Sequence, residues 1–199
     1  MRLKPFYVLL FAAFPLCAAH VLLAQAAPSA NDGTRPLAIG GGISNYDVDW
    51  GHGRMLGATV WADYTPSWLP ARLRGLGIEA EARDISLNHS SSQPSNLREA
   101  TMGGGPIYVW RHFRSFHPYF KGMASFGILD FKSRDPNYNY DSRTVLSAGG
   151  GFEYRVYRNL WARADYEYQD WPQLFGGQTL DPQGFTVGAS YHFSRTNLH

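Results

Sequence analysis

The chain has 199 residues with 18 Lys plus Arg, 16 Asp plus Glu and a single cysteine. The basic excess of two is carried by Arg2 and Lys4; from residue 27 onward the two signs match at 16 each, so composition gives no argument for nucleic acid or another polyanion. The length suits one domain.

Taken in order, Arg2 and Lys4 precede an apolar run from Phe6 to Leu23 that ends at Ala24-Gln25-Ala26. That is the pattern of a secretory signal peptide, expected over 1–26 and cleaved. Cys17 lies inside the run behind Phe14, Pro15 and Leu16, so neither lipidation nor a disulfide is expected of it. Residues 27–35 read as a loose leader. Beyond them no apolar run reaches the roughly 18 residues of a membrane-crossing helix. A closed barrel is the remaining way for such a chain to cross, because an open sheet would leave backbone groups unpaired in hydrocarbon.

From residue 36 apolar and polar residues alternate. Eight strands are expected, over 36–46, 54–64, 76–88, 98–112, 118–130, 143–157, 160–170 and 183–193, each about long enough for a tilted crossing. Side chains of a strand point alternately to its two faces, so each strand has one row of each kind. In 54–64, Leu56, Ala58, Val60, Ala62 and Tyr64 oppose Thr59 and Asp63. In 76–88, Ile78, Ala80 and Ala82 oppose Glu79, Glu81 and Arg83; in 118–130, Phe120, Ala124, Phe126 and Ile128 oppose Lys121 and Ser125. In 143–157, Leu146, Ala148, Phe152, Tyr154 and Val156 oppose Ser147, Glu153 and Arg155. In 160–170, Leu160, Ala162, Ala164, Tyr166 and Tyr168 oppose Trp161, Arg163, Asp165, Glu167 and Gln169, and in 183–193, Phe185, Val187, Ala189, Tyr191 and Phe193 oppose Thr186, Ser190 and His192.

Alternation alone does not say which face is outermost, and a β-sandwich or a lipocalin-like soluble barrel shares it. Three features favour apolar-out. Connections 47–53, 89–97, 131–142 and 171–182 alternate with 65–75, 113–117 and 158–159, and apart from the first pair long follows short, as when long loops face outward and short turns face the periplasm. Trp50, Trp61, Tyr64, Trp68, Trp110, Tyr119, Phe131, Trp161, Tyr166, Tyr168, Trp171 and Tyr191 gather toward strand ends, which suits two interfacial girdles. An even strand count puts both termini on one side. The expected fold is therefore all-β, an eight-stranded antiparallel up-and-down transmembrane β-barrel. Within it Gly103-Gly104-Gly105-Pro106 predicts a bulge or sharp coil at Gly105–Pro106, since proline donates no ladder bond. As a phosphate loop the stretch lacks a following Lys-Ser/Thr and a helix.

Gly103-Gly-Gly-Pro106 with Tyr108 and Arg111, His117-Pro-Tyr-Phe120, Ala148-Gly-Gly-Gly-Phe152 and the closing Gly184-Phe-Thr-Val-Gly-Ala-Ser-Tyr-His-Phe193 together resemble the outer-membrane β-barrel domain of the OmpA/OmpX type, over roughly residues 36–193. The resemblance implies a rigid outer-membrane anchor, or an adhesive or resistance factor. A periplasmic peptidoglycan-binding role is not expected, because the chain stops soon after the last strand. It also implies outer-membrane lipids and the barrel-assembly machinery as partners, with Tyr191 and Phe193 on the assembly-signal strand, six residues before the end.

Eight strands enclose an interior that side chains fill. The expected interior charge network is Asp63, Glu79, Glu81, Arg83, Lys121, Glu153, Arg155, Arg163, Asp165 and Glu167, with Glu153 and Arg155 facing Arg163, Asp165 and Glu167 across neighbouring strands. A polar plug is the first reading of this set, and a narrow channel the alternative. A lipid-A-modifying enzyme would draw on Ser190 with His192, or on His89 with Ser90 or Ser91; the first pair lies at the wrong end and the second in a flexible tip. The histidines, His20, His52, His89, His112, His117, His192 and His199, are scattered, so no metal is expected, and no cofactor, catalysis or nucleic acid either. The outer loops, 131–142 and 171–182, mix Tyr and Asn with turn formers and are the expected surface for a ligand, on a monomer. At the other end Arg72, Arg74, Arg111 and Arg114 flank the short turns, where they meet anionic headgroups or solubilise the rim.

Overall fold

In the chain's computed structural model, described over residues 36–47, 53–87, 97–131, 140–174 and 177–193, the alternating rows become the two walls of a tube. The expected signal peptide (1–26), leader (27–35) and tail (194–199), together with Trp50, His89, Ser90 and Ser91, lie outside the described residues. Eight long strands build the wall: β1 (Leu37–Asp47), β2 (Arg54–Tyr64), β3 (Leu76–Ser86), β4 (Leu97–Val109), β5 (Phe116–Phe131), β6 (Tyr140–Tyr157), β7 (Leu160–Leu174) and β9 (Gln183–Phe193). A short β8 (Gln178–Leu180) folds back on the end of β7, and one 3-10 turn, Ala71–Leu73, interrupts the β2–β3 connection. Each long strand pairs antiparallel with its neighbours in sequence. The tube closes where β9 pairs with both β7 and β1, from Leu37↔Phe193 to Asp47↔Gln183. Closure leaves no edge among the eight wall strands over the described residues, which is what a sheet in hydrocarbon requires.

The apolar row faces out. Ile43, Leu56, Val60, Ile78, Met102, Phe126, Leu146 and Val187 are all more than half exposed, while Glu79, Arg163 and Glu167 are at most 2% exposed. A soluble sheet would reverse this, so lipid must cover the outer row and the charges must satisfy one another within. Outward rings collect near the end that holds both strand termini, hereafter the terminal mouth. Tyr108 stacks on Phe120 with centroids 5.7 Å apart, Phe116 on Phe152 at 5.3 Å, and Tyr191 meets Phe193 edge-on at 4.9 Å. Tyr64, Trp68, Tyr166, Tyr168 and Tyr191 also face out. Trp61, Tyr119, Trp161 and Trp171 do not: all four are buried in the lumen, although they were expected in the girdles. Their odd numbers put them on the charged parity, and parity outranks nearness to a strand end.

Strand limits differ from expectation mainly on one side. The limits of β2 and β9 are as expected, and β1 is displaced by one residue; β3 ends at Ser86 and β4 runs Leu97–Val109, leaving Trp110–His112 in a turn. By contrast β5, β6 and β7 run 16, 18 and 15 residues, so the wall is taller on that side, and part of the 171–182 connection is strand rather than loop. The expected bulge at Gly105–Pro106 is absent. The β4–β5 register is the same at Gly104↔Ala124 and at Ile107↔Lys121, with no residue inserted between. The glycines serve a close approach instead, because a Cβ on Gly105 would fall 2.0 Å from the Gly122 carbonyl oxygen and one on Gly103 would fall 2.3 Å from that of Ala124. The barrel ladder shifts register at another place, between Arg155 and Tyr157 on β6.

Candidate functional site

Because every strand alternates, one row of each of the eight converges on one narrow column, the odd-numbered row of β2 to β7 and the even-numbered row of β1 and β9, and that column is the chemically rich part of the molecule. At its centre three cations touch five carboxylates. Lys121 Nζ lies 3.0 Å from Glu79 Oε1 and 3.0 Å from Glu167 Oε2, and also pairs with Glu81. Arg83 reaches Glu167 Oε1 at 2.9 Å and Glu81 Oε1 at 2.5 Å, and its Nε donates to Thr59 Oγ1 at 3.2 Å. Arg163 reaches Glu79 Oε2 at 2.7 Å, Asp63 Oδ2 at 3.2 Å and Asp165 Oδ2 at 3.2 Å. Its Nε also donates to the Tyr119 hydroxyl at 2.6 Å, which in turn donates to Asp165 Oδ2 at 2.6 Å. Aromatic faces complete the cations' surroundings: Arg83 lies over Tyr46 at 4.3 Å, and Arg163 over Tyr119 at 4.5 Å and Trp61 at 4.7 Å. Ions out of water need both partners and ring faces to offset lost hydration, and here each has several.

Eight of the ten expected interior charges thus meet in one network. Glu153 and Arg155 have other contacts. Glu153 Oε1 lies 3.6 Å from His192 Nε2, and Arg155 lies over the Trp161 ring at 4.9 Å. Nor do the pairs run mainly between neighbouring strands. Arg163 of β7 reaches Glu79 of β3 and Asp63 of β2 across the lumen, because closure brings far strands within one side-chain length.

The two mouths differ. Toward the loops, Tyr46, Met55, Ile85, Leu87, Leu97, Leu129, Val145, Trp171 and Leu180 form one buried apolar cluster. Gly127 leaves the space that the Trp171 ring fills, since a Cβ there would lie 2.4 Å from it. Beneath the cluster Ser44 bonds Thr59 at 2.5 Å and Thr186 at 2.8 Å, and Glu99 is buried with neither carboxylate oxygen hydrogen-bonded among the described residues. Toward the termini, His117 and His192 both stack on the Trp161 ring, at 4.5 and 5.0 Å, so that one indole meets two imidazoles. A cavity of about 10 Å³ remains beside them, lined in part by Asp63, Arg111, Glu153 and His192, with room for about one water. Sequence reading missed Glu99, Tyr46, Tyr119, His117 and Trp161 as lumen residues. Parity within each strand was the available signal, odd for four of them and even for Tyr46, whose strand turns its even row inward.

Ser190 Oγ lies 3.2 Å from His192 Nε2, the same nitrogen that faces Glu153. A serine–histidine–carboxylate relay needs two different ring nitrogens, one for the nucleophile and one for the acid, so these three residues do not form one. Among the described residues no group of three His, Cys, Asp or Glu is placed to hold a metal ion.

The outer membrane protein beta-barrel domain family matches residues 14–193. The chain belongs to that family. Among curated proteins no sequence matches this barrel. Among solved structures, this family member is similar to neisserial surface protein A (13% identity, covering 79% of this chain and 97% of that one, TM-score 0.64). It is also similar to OprG of Pseudomonas aeruginosa (14%, 81% and 97%, 0.56) and to Ail, the attachment invasion locus protein of Yersinia pestis (19%, 79% and 96%, 0.52). At these identities the likeness speaks for the outer-membrane barrel fold alone.

Proposed function

We propose that this outer-membrane barrel is a structural, anchoring and surface-interaction protein, of adhesive or resistance type and without catalysis, whose ligand is taken at the loop mouth. The observation that carries this reading is the filled column: an apolar cluster, an ion network and a histidine–tryptophan layer follow one another along the tube. A tube so occupied leaves the ends as the working surfaces, and the loops sit on a rigid wall, which is where binding residues are generally found. The interior charges act in this reading as a plug that holds eight strands in register. The reading includes export through a cleaved signal over 1–26, assembly by the barrel-assembly machinery with Tyr191 and Phe193 on the signal strand, and a monomer in outer-membrane lipid.

Charge helps with the class of ligand. Ail has been solved in complex with sucrose octasulfate, a heparin analogue. In this chain the described residues near the loop mouth carry Asp47, Asp84, Asp130, Asp141, Asp170 and Asp181 against Arg54, Arg98 and Arg143, and each of these arginines is paired with an aspartate. A polyanion is therefore disfavoured, and a neutral or cationic surface is the better partner. The test is binding of cells displaying the barrel, or a form with 171–182 shortened, to immobilised heparin and to a panel of extracellular-matrix proteins. Loop-dependent binding to a matrix protein supports the reading; loop-independent binding, or tight loop-dependent binding to heparin, overturns it.

A further inference from the structure

The inward row of β4 begins Leu97, Glu99, Thr101, which sets one acid among apolar side chains. The ladder places Glu99 opposite Ile85 of β3 and Leu129 of β5, and with Leu97 these belong to the apolar cluster that caps the loop mouth. Of the five buried carboxylates among the described residues, Glu79, Glu153, Asp165 and Glu167 each have a basic partner. Glu99, 1% exposed, has none, and neither of its oxygens accepts a hydrogen bond. An ionised carboxylate so placed has lost its water and gained nothing in return.

Its height in the wall matters as much as its burial. Arg98, the next residue on β4, faces outward and pairs with Asp84 of β3 at 2.5 Å, with more than half of each side chain exposed. An outward ion pair is unstable against hydrocarbon, so this height lies beyond the membrane-spanning band. Glu99 is therefore kept from water by the cap alone, and a small opening of the strand ends would wet it. No nearby cation is free to answer its charge. Arg83 of β3 is bound to Glu81 and Glu167, and on β6 Arg143 pairs with Asp141 at 3.3 Å. The cap presents only Met55 from β2, Leu129 from β5, Val145 from β6, Trp171 from β7 and the phenol of Tyr46 from β1. Burial accordingly drives the Glu99 carboxyl up to about 7, against the pull of Arg83 and with the push of Glu167 of β7.

We propose that the cap at the loop mouth is latched by a proton: it packs around Glu99 as the neutral acid, and release of that proton to the medium loosens the ends of β3, β4 and β5 that enclose it. Local opening is the available relief because the residues concerned lie at strand ends above the bilayer, where water can reach them without disturbing the ion network below. The sign follows from linkage. The folded-state carboxyl binds its proton more tightly than the unfolded one, so its contribution is complete in acid and is lost as pH rises through about 7. The inference rests on the barrel's apolar-out wall and not on any ligand at the loop mouth.

Amide hydrogen exchange of the full barrel refolded in phospholipid bicelles tests it. Protection factors, corrected for the intrinsic effect of pH, are compared at pH 5.5 and 8.5. In wild type the amides of Ile85, Leu87, Glu99 and Leu129 are expected to lose about tenfold in protection at the higher pH, while those of Ala162 and Ala164 in mid-barrel stay unchanged. Glu99→Gln, which cannot ionise, is expected to give the same protection at both pH values. Glu99→Met keeps the volume without the polar atoms and is expected to exceed wild type at pH 8.5, which preserves the test where the glutamine variant folds poorly. Protection at the cap that is independent of pH in wild type, or a fall that persists in either variant, overturns the proposal.

Discussion

At the scale of single residues, the interior is a set of ions whose stability is mutual. Arg163 holds three carboxylates and the Tyr119 hydroxyl at once. Replacing it with methionine leaves Asp63, Glu79 and Asp165 in a dry column without their main counter-charge, and breaking a buried pair in this way costs about 3–5 kcal/mol. The expected outcome is a clear fall in the urea midpoint of refolded Arg163→Met in detergent or lipid. Arg98 is the control: its pair with Asp84 is as short, at 2.5 Å, but more than half of each side chain is exposed, so water already solvates both ions. Arg98→Ala should leave the midpoint where it is. Equal shifts for the two variants would contradict the view that burial, not distance, sets the worth of these pairs. What the sequence made legible at this scale was membership. Parity named Asp63, Glu79, Arg83, Lys121 and Arg163 as inward residues, but parity is a property of one strand and partners are a property of closure. Arg163 therefore finds Glu79 four strands away around the wall, a distance no local pattern encodes.

At the scale of the element, the pleat decides what each strand tolerates. Ala164 faces lipid midway along β7 and is followed by Asp165, which faces the network. A charge placed in the outward row near the bilayer midplane costs about 2–4 kcal/mol in such barrels. Ala164→Arg should therefore lower the folding midpoint by about that amount, while Ala164→Leu should be neutral. Spin labels at the same two positions check the assignment, since a label at 164 should be accessible to oxygen and one at 165 should be immobilised. Space within the column is equally constrained. A Cβ at Gly127 would meet both Trp171 and Val145, so Gly127→Val is expected to displace the indole at about 1–3 kcal/mol, read as a shift of tryptophan emission with a lower midpoint. The 16, 18 and 15 residues of β5 to β7 were not legible in advance, because hydrophobic alternation fades where strands leave the bilayer while backbone pairing continues. The Gly103–Pro106 stretch misled for a related reason: glycine and proline mark both bulges and close strand contacts, and only the partner strand distinguishes them.

At the scale of the whole molecule, the lumen is a series of closures rather than one gate. An ion entering from the loops meets the apolar cluster around Trp171, then Lys121 and its carboxylates, then the layer of Trp161 between His117 and His192. Resistances in series are governed by the largest, so removing one closure does not open the path while the others stand. Wild-type barrel in planar bilayers should accordingly show no discrete conductance, and Trp171→Ala should remain silent although it removes the largest side chain of the upper cluster. The lower levels explain why: Lys121 and Arg163 sit against the strands on several sides, and a hydrated ion would have to displace a bonded guanidinium or ammonium to pass. Unitary steps in wild type would show that these contacts exchange with water on the timescale of conduction, and the narrow-channel reading would then replace the plug. Steps that appear only in Trp171→Ala would place the whole barrier in the apolar cluster and demote the ion network to a lining.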